Sequence, residues 1–324
     1  MARAIVTSIA LCVSLLFLGA HAADTYPNRP IRLIVPQAAG SASDIVSRIA
    51  SAKMSELLGQ QIVIDNRTGA TGIIGVELAA RAVPNGYTLL GGSVVTHAQL
   101  PVIHKTLPYD PVRDFAPISL LYLADVILCV NPTLPVKSVS EFISFARSKP
   151  GQLNMASAGA GSVAHLAGLM FADMTGIKSA HIPYKGGAAN IVAVASGEAQ
   201  WLVSPISGAM GQIRAGRLRP LGIGGKERSS FLPDVPTLIE GGVPGYEFYS
   251  WTGLMAPAGT PISITERLHA VTVKALSLPD VKEQYAAAGV EPRSSANPEQ
   301  FRRFIASEQQ KMRGLAKLAG LEAE

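Results

Sequence analysis

The stretch from Leu153 to Met170 constrains the fold more than any other part of this sequence. Leu153–Ala156 is typical of the end of a short strand, small and glycine residues follow at 157–161, and Ser162 precedes apolar residues at helical spacing. Serine is a favoured N-cap because its oxygen accepts a first-turn N–H. Glycine lets the backbone approach a ligand, and the free N–H groups and dipole of a helix start favour an anion. The pattern therefore predicts an anion site.

A second copy of this pattern lies near the start of the chain. Ile31–Val35 is strand-like, residues 36–43 form a turn, and Asp44–Leu58 has helical spacing. Because the two turns lie more than 100 residues apart, they predict two lobes that each contribute a loop to one cleft. Gly91–Ser93, at the end of a strand over Tyr87–Leu90, is a third candidate ligand loop.

The rest of the chain alternates strand and helix signals. Ser138 with Glu141 and Ser263 with Glu266 match capping boxes, and Asn297 precedes a proline that opens a final helix. Repeated β–α alternation predicts an α/β fold of mainly parallel sheets flanked by helices. Ligand sites in such sheets lie at the carboxyl ends of strands, where the glycine turns fall.

Two segments, 123–131 and 245–256, each join two β–α blocks and are the expected crossings between lobes. They predict a discontinuous first lobe, residues 24–125 plus 251–324, with the second lobe, residues 126–250, inserted between its parts. The length of 324 residues is sufficient for two such domains.

The N-terminus predicts export. Arg3 precedes an apolar run over 4–19, and residues 20–22 fit a small-x-small cleavage site, so residues 1–22 are expected to be a secretory signal peptide. The exported chain would retain one cysteine, Cys129, whose apolar surroundings predict a buried, inert thiol. The net charge is +5, but no run of consecutive basic residues accounts for it, so nucleic-acid binding is not expected.

Several segments together resemble one family, the Bug or TctC-like periplasmic solute receptors of tripartite tricarboxylate transporters. The order of the motifs carries the resemblance, which covers essentially the whole exported chain. The segments are YPNRPIRLIVP at 26–36, DNRTGA at 65–70, PNGYTLL at 84–90, LPYDP at 107–111, HIPYKGG at 181–187, LPDVPT at 232–237 and APAGTP at 256–261.

This resemblance implies a type II periplasmic binding protein fold whose two lobes close over a carboxylate-bearing solute. It implies that the carboxylate sits between the loop after the first strand and the glycine turn of the second lobe, partly through ordered waters. It also implies a periplasmic protein that delivers the solute to membrane components of a transporter. We expect a monomer; an orphan receptor used in sensing would have the same sequence features.

The expected ligand contacts are small and mostly polar residues of these turns. They are Gln37, Ala38, Ala39, Gly40, Ser41, Ser43, Ser93, His97, Ser157, Ala158, Gly159, Ala160, Gly161, Ser162 and Ser204. None of them is acidic, and the nearest carboxylate, Asp44, is placed to serve its own helix start. Burying an ammonium group needs a compensating charge or several acceptors. We therefore predict a plain mono- or dicarboxylate rather than an amino acid, with an aromatic acid favoured if Trp201 lines the cleft.

Enzymatic alternatives have less support. Residues 159–164 match the dinucleotide pattern GxGxxA, but no acidic residue follows about 20 positions later, as that site requires. A serine hydrolase would use Ser157 or Ser162 with His165 as base. Met155 occupies the position that must be glycine in a nucleophile elbow, so this remains the rival interpretation.

Three further residues have open roles. His97 could touch the solute or be a surface or capping histidine, and Trp201 could line the pocket or fill a core. Lys185 could pair with the anion or lie in a solvated turn. The histidines show no HxxxH spacing, so no metal is expected. We expect no cofactor and no catalytic residue.

Overall fold

A computed structural model of the protein describes residues 26–321, apart from the side chain of residue 319. The proposed signal peptide at 1–22 and its cleavage site lie outside the described residues. Nine strands and ten α-helices alternate along this part of the chain. The strands are β1 Ile31–Val35, β2 Ile62–Asn66, β3 Thr88–Ser93, β4 Phe115–Val130, β5 Leu153–Ser157, β6 Ser179–Pro183, β7 Trp201–Pro205, β8 Arg219–Ile223 and β9 Tyr249–Pro257.

The helices cover both faces of the sheet that these strands form. They are α1 Ala42–Leu58, α2 Ile73–Ala80, α3 Leu100–Ile103, α4 Val139–Ser148, α5 Val163–Thr175, α6 Gly187–Ser196, α7 Ile206–Arg214, α8 Ile262–Ser277, α9 Pro279–Ala287 and α10 Pro298–Ala319. A 3-10 turn at Ala70–Gly72 precedes α2, and a π-helical turn at Val95–Gln99 precedes α3.

The strands run in the order β2-β1-β3-β9-β4-β7-β5-β6, with β8 pairing β4 as a branch. The outer pairs, β1 with β2 and β3, and β5 with β6 and β7, are parallel, as the β–α alternation predicts. All pairs of the central strands β4 and β9 are antiparallel, which makes the sheet mixed. The β–α alternation did not predict these antiparallel pairs. Strands β4 and β9 lie far apart in the sequence, and local patterns do not indicate which distant strands pair.

Strand β4 belongs to both parts of the sheet. Its residues 115–125 pair with β9, and residues 126–130 pair with β7 and β8. The change of partner falls between Asp125 and Val126, and irregular register on either side of Ser119 marks the first half as bulged. The first part of the sheet thus contains β2, β1, β3 and β9, and the second contains β8, β7, β5 and β6.

Two helices begin at the residues whose side chains were predicted to cap them. The Ser138 hydroxyl accepts the Glu141 N–H, and the Asn297 side chain accepts the Gln300 N–H, which confirms both predicted caps. The capping box predicted at Ser263 is wrong, because α8 begins at Ile262 with Pro261 as its N-cap and no side-chain cap. Proline with its fixed φ starts that helix two residues earlier.

The apolar core decides the open role of Trp201 and tests the prediction for Cys129. Trp201 is fully buried, packs against Phe142 and Phe171, and donates its ring N–H to Ser179. Cys129 is also fully buried, and burial raises the pKa of its thiol, which confirms the inert cysteine. Trp201 therefore fills the core and does not line a cleft, so nothing now favours an aromatic acid.

Across residues 26–321, every helix is too short or too polar to cross a lipid bilayer.

Candidate functional site

The glycine turn after β5 is built as a compact hydrogen-bonded loop. Ser162 has extended backbone angles (φ −69°, ψ 161°), and its hydroxyl accepts the His165 N–H at 3.2 Å and donates to the Gly159 carbonyl at 2.7 Å. Gly161 has φ +72°, a left-handed conformation that favours glycine. Its N–H donates to Nδ1 of His165 at 3.0 Å. Cap and glycine together fix the start of α5.

The turn after β1 repeats this arrangement. Ser41 has φ −69° and ψ 160°, and its hydroxyl accepts the Asp44 N–H at 3.3 Å. Gly40 has φ +81°, and its N–H donates to Oδ2 of Asp44 at 2.9 Å. Each half of the sheet therefore presents one strand, one glycine turn and one serine-capped helix start with the same backbone geometry.

These bonds decide which N–H groups of the turns can reach a ligand. The Gly161 N–H is taken by His165, and the Gly159 N–H donates to the Ser157 hydroxyl at 3.1 Å. Among the described residues, none accepts the backbone N–H of the four alanines, Ala38, Ala39, Ala158 and Ala160. These alanines are exposed or half-buried. The alanine N–H groups are thus the available donors, rather than those of the glycines beside them.

Two stacked histidines support the second turn. The rings of His165 and His181 lie 3.9 Å apart at 13°, and Nε2 of His181 shares a hydrogen bond of 2.6 Å with the Ser157 hydroxyl. Burial, and secondarily the charge of His181, lower the pKa of His165 to about 4. Burial also lowers the pKa of His181. Both rings are therefore neutral at pH 7, which His165 needs in order to accept the Gly161 N–H.

The first turn is supported by an ionised carboxylate instead. Asp44 is 2% exposed and accepts hydrogen bonds from Arg48, at 2.9 Å, and from the Asn66 side chain, at 2.9 Å, in addition to Gly40. Burial alone would raise the pKa of Asp44, but these three hydrogen bonds together lower it. Asp44 thus accepts from its own helix start, as the sequence indicated, and its charge is paired with Arg48.

The remaining residues of the first half lie behind the turn. The Gln37 amide donates to the Ser93 hydroxyl at 3.0 Å, while its carbonyl oxygen is buried without a partner. Ser43 is 7% exposed and shares a hydrogen bond of 2.7 Å with Thr252 of β9. Gln37 and Ser93 thus join the first and third loops, whereas the Ser43 hydroxyl is committed to the core.

His97 is a core residue. Its ring is fully buried, packs edge-on against Phe115 at 5.1 Å, and contacts the Thr96 hydroxyl through Nδ1 at 2.9 Å. Burial lowers its pKa to about 3. Neither the solute contact nor the surface position expected for His97 fits this environment, because the π-helical turn directs the ring inward.

Ser204 and Lys185, two candidate residues of the second half, differ in burial. Ser204 is 2% exposed at the carboxyl end of β7, the same sheet edge at which Ser157 ends β5. Lys185 is exposed, with no ion pair among residues 26–321, which fits a solvated turn lysine. The structure therefore brings Ser204 toward the turn and leaves Lys185 in solvent.

Sequence reasoning missed His181 and Asn190. His181 pairs with Met155 in the register of β5 and β6, so its ring reaches Ser157 although the two residues are 24 positions apart. The parallel β5–β6 pairing contained that signal, since residues aligned across parallel strands point to one face. Asn190, in the first turns of α6, is fully buried with both side-chain polar atoms unpartnered.

A cavity of about 690 Å³ lies apart from both turns. It is lined by α1 and the edge strand β2, including Ser51, Gln60 and Ile64, and by none of the predicted ligand residues. The two turns, by contrast, contain the free alanine N–H donors and so are the candidate ligand site.

Comparison with known proteins now identifies the group to which this fold and these turns belong. The sequence profile described as "Tripartite tricarboxylate transporter family receptor" matches residues 46–321. The chain belongs to this receptor family. The family resemblance drawn from the motifs is thereby confirmed, and so is the α/β periplasmic binding protein fold.

Individual relatives are similar to this receptor in sequence or structure over about nine tenths of its length or more. Protein BugT of Bordetella pertussis is 36% identical over 301 residues, 92% of this chain and 91% of BugT. The structure of R. palustris Rpa4515 with adipate has a TM-score of 0.81 and 33% identity, covering 92% of this chain and 100% of that one. MatC from Rhodopseudomonas palustris, with bound malate, has a TM-score of 0.75 and 33% identity, covering 90% and 99%.

Proposed function

We propose that this receptor captures a small carboxylate in a cleft between two lobes, residues 24–125 plus 251–324 and residues 126–250. The observation that carries the proposal is the pair of matched turns. Ser41 and Ser162 cap their helices with the same geometry, and each turn leaves two alanine N–H groups free. A carboxylate has two oxygens that accept several hydrogen bonds, so one ligand can engage both turns.

The energetics suit reversible capture. Each hydrogen bond to a charged group contributes roughly 1.5–3 kcal/mol net, so three or four such bonds give about micromolar affinity after the costs of binding. The dipole of each helix adds favourable potential at its own turn. The adipate bound to Rpa4515 and the malate bound to MatC support a carboxylate as the solute class of this chain as well.

The route of the solute follows from the proposed export. A chain that loses residues 1–22 as a signal peptide would work in the periplasm and hand the carboxylate to the membrane components of a tripartite transporter. A solute that touches both turns would stabilise the closed arrangement of the lobes by its differential contacts. Small-angle scattering with a saturating ligand should then give a smaller radius of gyration, whereas no change would indicate a preclosed cleft.

Charged substitutions in the two turns test the site. Aspartate at Gly40 or Gly161 places a negative charge beside the free alanine N–H groups, so calorimetry should show loss of carboxylate binding. Gly40→Asp is the cleaner variant, because a Cβ there meets nothing within 4 Å, whereas a Cβ at Gly161 would lie 3.2 Å from Ile103.

The matched control is Gly216→Asp, at a residue beyond the end of α7. Gly216 has φ +67° and open space around its Cβ, so the variant carries the same backbone strain away from the turns. Normal binding by Gly40→Asp and Gly161→Asp, or equal loss in the control, would sink the proposed anion site.

This proposal predicts that the solute is a carboxylic acid without an amine group. The carboxylate of the first turn, Asp44, already accepts from Arg48, Asn66 and Gly40, so it has little capacity to neutralise an ammonium group. A thermal-shift screen against carboxylic acids, followed by calorimetry, should rank succinate, adipate or malate above aspartate and glutamate. Tighter binding of an amino acid than of every amine-free acid would contradict this assignment.

One observation favours a second function. The Ser157 hydroxyl and Nε2 of His181 are 2.6 Å apart, which is the spacing of a nucleophile and its base. The Ser157 side chain is nevertheless fully buried and already bonded within the turn, and His181 stacks on a histidine rather than on a carboxylate. We therefore expect no ester hydrolysis above background, and turnover that disappears in Ser157→Ala would establish the hydrolase instead.

A further inference from the structure

Four side-chain amides have buried atoms without a hydrogen-bond partner among the described residues, those of Gln37, Gln99, Asn190 and Gln212. Two of them, Gln37 and Asn190, belong to segments that adjoin the ligand turns. In the second half, Asn190 is fully buried, and neither its carbonyl oxygen nor its NH₂ group has a hydrogen-bond partner among the described residues. In the first half, the Gln37 carbonyl oxygen is buried and unpartnered while its NH₂ group is held by Ser93. Buried polar groups are nearly always paired, so these atoms point to missing partners.

Asn190 lies on a helix that begins next to the second turn. Asn190 is the fourth residue of α6, which follows β6 and packs against β5 and β7. The chain enters α6 from the carboxyl end of β5, because the Tyr184 N–H donates to the Ser157 carbonyl at 2.9 Å and the Asn190 N–H donates to the Gly186 carbonyl at 3.4 Å. This is the sheet edge that ends in Ser157, where ligands of such sheets bind.

The unpartnered atoms define what the ligand must offer. A carboxylate only accepts hydrogen bonds, so it can satisfy the Asn190 NH₂ group but neither of the two free carbonyl oxygens. A hydroxyl group both donates and accepts. An ammonium group also donates, but it brings a charge, and the Asp44 carboxylate is already paired with Arg48.

We propose that the solute is a hydroxylated carboxylic acid, and that the Asn190 amide recognises its hydroxyl group, with the Gln37 carbonyl oxygen as a second acceptor. This inference rests on the proposed carboxylate function and narrows it. A site built to hydrogen-bond a hydroxyl discriminates strongly against the analogue that lacks it, because the buried polar groups are then left unpaired.

Matched ligands and a matched variant test the assignment. Calorimetry compares malate with succinate, and 2-hydroxyadipate with adipate, on the wild-type protein and on Asn190→Leu. In the pair that binds, the wild type should prefer the hydroxylated acid by about tenfold or more, and Asn190→Leu should reduce that preference to about threefold or less. Affinity for the acid without the hydroxyl should change little. Aspartate, which replaces the hydroxyl of malate with an amine, should bind more weakly than malate.

The control is Gln212→Leu, which removes another amide with a buried unpartnered oxygen, near the end of α7. It should keep the wild-type preference. Asn190→Leu removes an unpaired buried amide, so its unfolding temperature without ligand should not fall; Asn190→Ala is the second variant if leucine overpacks the site.

The outcomes separate the two levels of the proposal. The hydroxyl assignment is overturned if the wild type binds both members of a pair equally, or if the Asn190 variants keep the wild-type preference. The proposed carboxylate function would still stand. Asn190 would then hold only a buried water. Tighter binding of aspartate than of malate also overturns it. Binding of no acid in either pair defeats the proposed carboxylate function and this inference with it.

Discussion

Asp44 and His165 occupy the same position in two different turns. Each is the third residue of its helix, and each accepts the backbone N–H of the glycine that precedes the capping serine, at 2.9 Å and 3.0 Å respectively. The acceptors differ in charge. Asp44 performs this role as an ionised carboxylate, whereas His165 performs it only as a neutral imidazole. The two turns therefore respond differently to acid.

Acid should weaken the protein through His165. The unfolded pKa is 6.5 and the folded value about 4, so the unfolded state binds more protons between these values. The stabilisation is complete above pH 6.5 and is lost as pH falls toward 4, by roughly 3 kcal/mol for this residue. Urea unfolding at several pH values should show the free energy of unfolding decrease across this window.

The control for this effect is His165→Asn, which keeps an acceptor close to Nδ1 and removes the titration. Its free energy of unfolding should depend less steeply on pH between 6.5 and 4. Part of the slope should remain, since His97 is also buried with a lowered pKa of about 3. An identical pH dependence in variant and wild type would contradict the role assigned to His165.

The capping serine of the second turn should affect both stability and binding. Ser162→Ala removes the acceptor of the His165 N–H, and Ser138→Ala removes the corresponding cap of α4; both serines are half-buried. Each variant should lose about 1 kcal/mol of stability. Only Ser162→Ala should also weaken carboxylate binding in calorimetry, because only it alters a ligand turn. Equal affinities in the two variants would argue against a site at α5.

Asp125 should destabilise the protein at neutral pH. It lies where β4 changes partner, and burial, with Glu291 and Glu227 nearby, raises its pKa to about 6 despite the opposing charge of Arg293. The folded state therefore binds more protons than the unfolded state between pH 3.8 and 6, and stability falls as pH rises through that window.

Asp125→Asn tests this cost. The variant should be more stable than the wild type at pH 7, by up to about 3 kcal/mol, and the gain should vanish near pH 4. Denaturant unfolding of both proteins at the two pH values measures the difference. A variant that is less stable at pH 7 would show that the carboxylate makes a favourable contact.

The local patterns of the sequence predicted much of the fold and the outline of the site. Strand, glycine turn and serine cap are encoded within about 15 residues, and both turns after β1 and β5 formed where they were expected. The long-range pairings were not predictable in this way. The antiparallel pairing of β4 with β9 joins residues more than 100 positions apart.

The side-chain details of the site also depend on tertiary structure. His97 and Trp201 were assigned a possible place in the cleft from their neighbours in sequence, and packing directs both into the core. The His181 contact with Ser157 requires two strands in register, and the unpartnered amide of Asn190 becomes visible only once α6 is packed. Residue type indicated candidates, and burial decided among them.

The shared strand β4 has a consequence for how this protein loses its structure. Residues 126–130 of β4 are fully buried and paired on both edges, with β7 and β8, while the preceding residues pair with β9. Neither part of the sheet can melt without exposing one half of the same hydrogen-bonded strand. Although residues 126–250 are numerous enough to form a separate domain, thermal unfolding of the protein should therefore be one cooperative calorimetric transition rather than two.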